Sequence, residues 1–133
     1  TPPAVITLPT CPTRVAVFSP TAFTCPAAAT VCTVEATVTS EVSDVTPGAD
    51  SIRFYLTVDG AAAGVFPTTN FGVHSTAKTG QIEAATASWM HHAVPPGNHT
   101  LAVRACVANT TSGGGATAFA GDRILMMRLY RGN

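Results

Sequence analysis

Trp89-Met90-His91-His92-Ala93-Val94, then Pro95-Pro96-Gly97-Asn98, then His99-Thr100-Leu101-Ala102-Val103-Arg104-Ala105-Cys106-Val107-Ala108 is the stretch whose reading decides the fold. Its middle four residues favour a turn, because Pro pre-sets φ and Gly or Asn accepts positive φ. In the second arm Leu101, Val103, Ala105 and Val107 fall on one face. Thr100, Ala102, Arg104 and Cys106 fall on the other, which is the period of a half-buried strand. The two arms are expected to pair as a β-hairpin.

The same alternation recurs on either side. Across Val31 to Val42, the residues Cys32, Val34, Ala36, Val38 and Val42 share one face, and Thr33, Glu35, Thr37, Thr39 and Glu41 share the other. Ser51 to Val58 places Ile52, Phe54, Leu56 and Val58 inward and Arg53, Tyr55 and Thr57 outward. Asp59-Gly60 is a hairpin-turn signal, with Ala61 to Phe66 returning. Gln81 to Trp89 alternates and reads as a strand, Thr86 being a poor helix former. Arg14 to Phe18 and Ala116 to Ala120 are short strands. Gly121-Asp122 reads as a turn before the last strand, Arg123 to Tyr130. In that strand Ile124, Met126 and Arg128 oppose Leu125, Met127 and Leu129, so apolar residues lie on both faces. Such a strand is central in its sheet or covered by a partner. Eight to nine short strands, turns every 8–12 residues and no amphipathic helix predict an all-β chain, an antiparallel β-sandwich of jelly-roll or immunoglobulin-like kind.

Residues 1–12 hold four Pro around Val5-Ile6-Thr7-Leu8. Pro excludes a central strand and favours an extended arm or an edge strand; the segment is expected to be an N-terminal arm, with residues 13–133 forming one sandwich domain. An arm of this kind adds a strand to a neighbouring copy through Val5, Ile6 and Leu8. The four cysteines, Cys11, Cys25, Cys32 and Cys106, form no Cys-x-x-Cys pair. Two disulfides in an oxidising compartment are expected, with three pairings open. A start at Thr1 rather than Met fits a processed secreted chain, and no apolar run approaches the roughly 18 residues of a membrane span.

Charged residues are only 11% of the chain and the net charge is zero. Low charge gives little colloidal repulsion and tolerates many copies side by side. The six Arg are scattered in the sequence, which argues against a nucleic-acid partner. His91 and His92 are adjacent, so as strand residues they point to opposite faces and do not share a metal. Glu35 and Glu83 would face each other across a cleft only by an accident of strand order. Ser112-Gly113-Gly114-Gly115 lacks the Lys-Ser/Thr tail of a phosphate-binding loop. No nucleophile motif occurs, and neither catalytic residue, metal nor cofactor is expected. Asn98-His99-Thr100 and Asn109-Thr110-Thr111 match the N-glycan acceptor pattern. Trp89, Met90, Met126, Met127, Leu129 and Tyr130 are many large groups for two strands. Trp89, Met127, Leu129 and Tyr130 are therefore candidate subunit-interface residues, beside the role of core filling.

Phe54-Tyr55-Leu56-Thr57-Val58-Asp59-Gly60, Pro96-Gly97-Asn98-His99-Thr100-Leu101-Ala102-Val103-Arg104-Ala105 and Gly121-Asp122-Arg123-Ile124-Leu125-Met126-Met127-Arg128-Leu129-Tyr130 form a pattern. A strand ends in Asp-Gly, a Pro-Gly-x-His-Thr turn starts another, and an Arg-x-Leu strand ends the domain. Through these stretches residues 51–131 resemble β-sandwich domains of bacteriophage virion proteins and of secreted bacterial surface proteins. The resemblance implies a non-enzymatic surface or assembly module. The leading expectation is a secreted structural subunit of a filament or surface layer, a homo-oligomer or polymer. A virion protein (capsid decoration or tail domain) is a second expectation. A carbohydrate- or receptor-binding module using Trp89, Tyr55 and the 68–80 loop, with a cell-surface glycan as partner, is a third.

Overall fold

The computed structural model of the chain describes residues 5–44, 51–61, 65–66, 71–74, 82–108 and 118–132. These residues form ten strands: β1 (Ile6–Leu8), β2 (Val15–Ala16), β3 (Thr21–Cys25), β4 (Cys32–Asp44), β5 (Ser51–Val58), β6 (Val65–Phe66), β7 (Phe71–His74), β8 (Ile82–Val94), β9 (Gly97–Ala108) and β10 (Ala118–Arg131). They build two antiparallel sheets packed as a sandwich. The first has the order β1-β10-β4-β8-β6. The second has the order β2-β9-β5-β7, with β3 also on β9. The described residues contain no helix.

The inner faces are the alternating rows read from the sequence. Val34, Ala36 and Val38 of β4, Ile52 and Phe54 of β5, and Leu101, Val103, Ala105 and Val107 of β9 are all fully buried. Ser40 continues the β4 row as its one polar member, and its hydroxyl donates to the Glu41 carbonyl at 3.0 Å. A buried hydroxyl with a partner avoids the desolvation cost of an unmade bond. Leu125, Met127 and Leu129 of β10 pack against this core from their inward row.

Several expectations are corrected. Trp89 to Val94 and His99 to Ala108 do not form a hairpin: β8 lies in the first sheet and β9 in the second. Pro95-Pro96 instead carries the chain across the sandwich. Two prolines have no N–H and a φ locked negative, so they cannot make the primed two-residue turn that joins paired strands. Gly97 begins β9 at φ 127°, a conformation that a side chain opposes. Ala93, at φ 58°, marks an irregularity in the β4–β8 register. It moves Val94 back to the buried face after Trp89, where strict alternation would point it outward.

Asp59-Gly60 does make a tight turn. Val58 and Ala61 exchange both N–H···O bonds at 3.0 Å, with φ of 52° and 78° at the central pair. Among the described residues the turn carries that one pair, and β6 then pairs with β8 in the other sheet. Gly121-Asp122 is no reversal: β10 runs through it as one strand with a register shift between Ala120 and Arg123. The strand β3 was not foreseen between Pro20 and Cys25. The expected loops at 45–50, 67–70, 75–80 and 109–115 lie outside the described residues.

Both disulfides form, as Cys25–Cys32 and Cys11–Cys106. The first joins β3 of the second sheet to β4 of the first, stapling the two layers. The second ties the segment after β1 to the outer side of β9. Their sequence separations of 7 and 95 residues imply chain-entropy contributions of about 2 and about 5 kcal/mol. Cys11→Ser/Cys106→Ser is therefore expected to lower the unfolding free energy more than Cys25→Ser/Cys32→Ser. Denaturant unfolding of the two double variants checks this, and the reverse order would refute the loop-entropy account.

Candidate interaction surfaces

The outer face of the first sheet is built from its three long strands. Register places Ile124 beside Thr39 and Thr86, Met126 beside Thr37 and Ser88, and Arg128 beside Glu35 and Met90. Ile124 and Met126 are 64% and 56% exposed, and Met90 and Tyr130 also reach solvent. Between them the hydroxyls pair across strands: Thr37 with Ser88 at 3.0 Å and Thr39 with Thr86 at 3.4 Å. The Tyr130 hydroxyl donates to Glu35 Oε2 at 2.7 Å. Glu35, Thr37, Met126 and Arg128 line a shallow depression of about 140 Å³. The surface is thus flat, apolar in spots and hydroxyl-rich, with its few charges near one end.

The expected assembly residues divide. Trp89 is buried in the core and presents no surface. Leu8 is buried, and Ile6, Met127 and Leu129 pack against the core. Val5 and Tyr130 are exposed. The arm does not extend freely: Ile6–Leu8 pair with Ala120–Ala118 of their own chain, and Cys11 holds the following segment to β9. Of the exposed residues on this face, Met90 and Met126 are among the six large groups that the sequence offers for a core or an interface, and Ile124 is not. The alternation in β10 contained Ile124 and Met126, but nothing in one strand says which of its two apolar rows faces in. Asn98 is exposed at the start of β9, and its Oδ1 accepts from the Thr24 hydroxyl at 2.8 Å. Asn109 lies outside the described residues. Glu35 pairs in register with Met90 and Glu83 with Val42, seven residues away along β8, so about 23 Å separates them along the strand.

A second cluster sits on the outer face of the second sheet. Arg53, Tyr55 and Thr57 of β5 are half-buried there, and Arg104 of β9 pairs with Tyr55. The Arg14 guanidinium lies over the Tyr55 ring, 3.5 Å from its centre. Three of the six arginines, scattered in the sequence, therefore meet on one face. Elsewhere a groove of about 580 Å³ runs past Ile6, Phe18, Pro20 and Arg123. Arg123 Nε donates to the Val17 carbonyl there, and burial lowers the Arg123 pKa.

The described residues contain no group of three His, Cys, Asp or Glu placed to hold a metal. His91 has a buried Nδ1 without a partner, and burial, then the neighbouring His92, lowers its pKa. His99 does the opposite. It stacks on Phe23, donates from Nδ1 to Asp59 Oδ2 at 2.6 Å and from Nε2 to the Pro95 carbonyl at 2.7 Å. Both ring nitrogens face acceptors, so only the imidazolium satisfies both. Asp59 also accepts from the Thr100 N–H at 2.9 Å. The hydrogen bond that His99 donates to Asp59, then that to Pro95, raises the His99 pKa, and the same bond to Asp59 lowers that of Asp59.

No family model matches the chain, and no curated protein matches it. Among solved structures, the chain is similar to the EclA C-terminal domain, described as a sugar-binding protein. The identity is 12% and the TM-score 0.43, over 92% of this chain and 77% of that one. The resemblance of residues 51–131 to virion and bacterial surface domains has no counterpart in these matches.

The His99–Asp59 pair makes stability depend on pH. The His99 contribution is complete below its ordinary pKa of 6.5 and is lost as pH rises through its raised folded value. The Asp59 contribution is complete above 3.8 and is lost as pH falls through its lowered folded value. The pair therefore supports the fold in the window between those two folded values. Asp59 is about half exposed, so the effect is screened by salt. Asp59→Asn is expected to lower the Tm more at about pH 5.5 than at about pH 9. Thermal melts at both pH values check this, and an equal loss at both would contradict it.

Proposed function

We propose that this β-sandwich is a non-enzymatic structural subunit of an extracellular assembly, and that copies associate through the outer face of the first sheet. The observation that carries the reading is the exposure of Ile124 and Met126, two residues apart on one strand, with Met90 exposed on the same face across β4. Single exposed apolar residues are ordinary, but three on one flat face among uncharged hydroxyls suit an interface of apolar contacts with polar surroundings. The strands β4, β8 and β10 are 13, 13 and 14 residues long, so this face offers about 600 Å². Two such faces together bury about 1,200 Å², the lower end of stable interfaces.

A second copy is the partner that suits this face best. The chain carries no net charge, so like copies repel little. Tyr130, an expected interface residue, borders the patch and is held by Glu35. The route differs from the arm mechanism, because β1 is already paired within its own chain. Two disulfides, together with the lack of any described helix long and apolar enough to cross a membrane, are compatible with an extracellular location.

Ile124→Lys/Met126→Glu is expected to weaken self-association at least about tenfold, a loss of about 1.4 kcal/mol or more, while leaving the fold intact. Sedimentation velocity across a concentration series, beside electron microscopy of concentrated protein, checks this. A wild-type protein that stays monomeric throughout, or a variant that assembles as the wild type does, would refute the reading.

A further inference from the structure

We infer that the outer face of the second sheet is a binding surface for an acidic polysaccharide, read by Arg14, Arg53 and Arg104. This inference is independent of association through the first sheet. In the β5–β9 register Arg53 pairs with Cys106 and Arg104 with Tyr55. Arg53 and Arg104 are thus diagonal neighbours on one face, with Cα atoms about 7–8 Å apart. Arg14 precedes Val15, which pairs with Ala105 on the other side of β9. Its guanidinium reaches across to lie on the Tyr55 ring. That contact fixes one long side chain before any ligand arrives, which lowers the ordering cost of binding.

The charge distribution is one-sided. None of the three arginines makes an ion pair with a described residue. Among the described strands Glu35, Glu41, Asp44, Glu83 and Asp122 belong to the first sheet, and Asp59, at the turn after β5, is engaged by His99; Asp50 lies outside the described residues. A chain with zero net charge therefore presents a local cationic face. Like charges gathered without a carboxylate among them destabilise a fold unless a counter-charge arrives.

The chemistry of the face indicates the ligand. Guanidinium forks match the oxygen pairs of carboxylates and sulfates. A sheet face sets its outward side chains in rows along the strands, so it suits an extended polymer with charges spaced along it. The Tyr55 and Thr57 side chains lie among the cations and offer hydroxyls to a hydroxyl-rich chain. A single-stranded nucleic acid fits less well. It needs bare aromatic faces for its bases, and Arg14 covers one face of the Tyr55 ring.

The test measures binding of the full chain to four probes by fluorescence anisotropy: a heparin-derived oligosaccharide, an oligogalacturonate, neutral dextran of the same size and single-stranded oligothymidylate. Binding to at least one acidic glycan, with none to dextran and weaker binding to oligothymidylate, is expected. Arg14→Gln/Arg53→Gln/Arg104→Gln should lose affinity by about tenfold or more. The slope of log affinity against log salt should fall by about 0.7–0.9 for each arginine removed. Arg104→Gln alone should show a single such step, which keeps the test decisive if the triple variant folds poorly. Arg131→Gln, on the first sheet, should bind as the wild type does. Failure to bind either acidic glycan, equal binding to dextran, tighter binding to oligothymidylate, or unchanged affinity in the Arg104 variant would each overturn the inference.

Discussion

The sandwich rests on packing between its two layers, because no described strand forms a ladder with the strand that follows it in the chain. Every ladder among the described strands joins strands that are not consecutive in the chain, such as β10 with β4 or β5 with β9. Apart from the step from β2 to β3, each successive strand lies in the opposite sheet. A hairpin closes at small entropic cost, whereas pairings of this kind close long loops first. The inward rows must therefore stabilise the fold together, with Trp89, Phe54, Ile52 and Leu101 as the largest fully buried side chains. Two local devices hold the layers in place. The Cys25–Cys32 bridge joins them at one point. The His99 ring, bonded to the Asp59 turn and to the Pro95 crossover, joins two connections at another.

This division of labour leaves the two outer faces free to differ. The first sheet presents Ile124, Met126 and Met90 among paired hydroxyls. The second presents three arginines around Tyr55. A subunit that associates through one face keeps the other in solution, so the two proposed interactions do not compete. The N-terminal segment takes the edge-strand alternative that its prolines favour and not that of a free arm. Its strand extends its own sheet, and its cysteine covers the outer side of β9.

What was legible in the sequence was local. Period-two alternation in β4, β5 and β9 identified the buried rows correctly, because burial on one face imposes that period directly. Turn chemistry at Asp59-Gly60 and at Pro95-Gly97 also appeared where expected. The partner of each strand was not legible. A turn signal says that the chain reverses, not whether it pairs back or crosses to the other layer. For that reason the hairpin reading of β8 and β9 failed while the strand reading of each succeeded. The same gap hid both surfaces. Arg14, Arg53 and Arg104 meet only because β2, β9 and β5 are neighbours, and Met90 joins Met126 only through β4. The β10 rows were visible as two apolar sets, but the inward set was set by the neighbouring sheet.

The most direct test of association through the first sheet is methionine oxidation footprinting across a dilution series of the native chain. Met126 and Met90 lie on the proposed interface, and half-buried Met127 packs against the core as an internal reference. The account predicts that Met126 and Met90 are oxidised readily in dilute protein and become protected as concentration rises, while Met127 changes little. Equal oxidation of Met126 and Met90 at every concentration would contradict it.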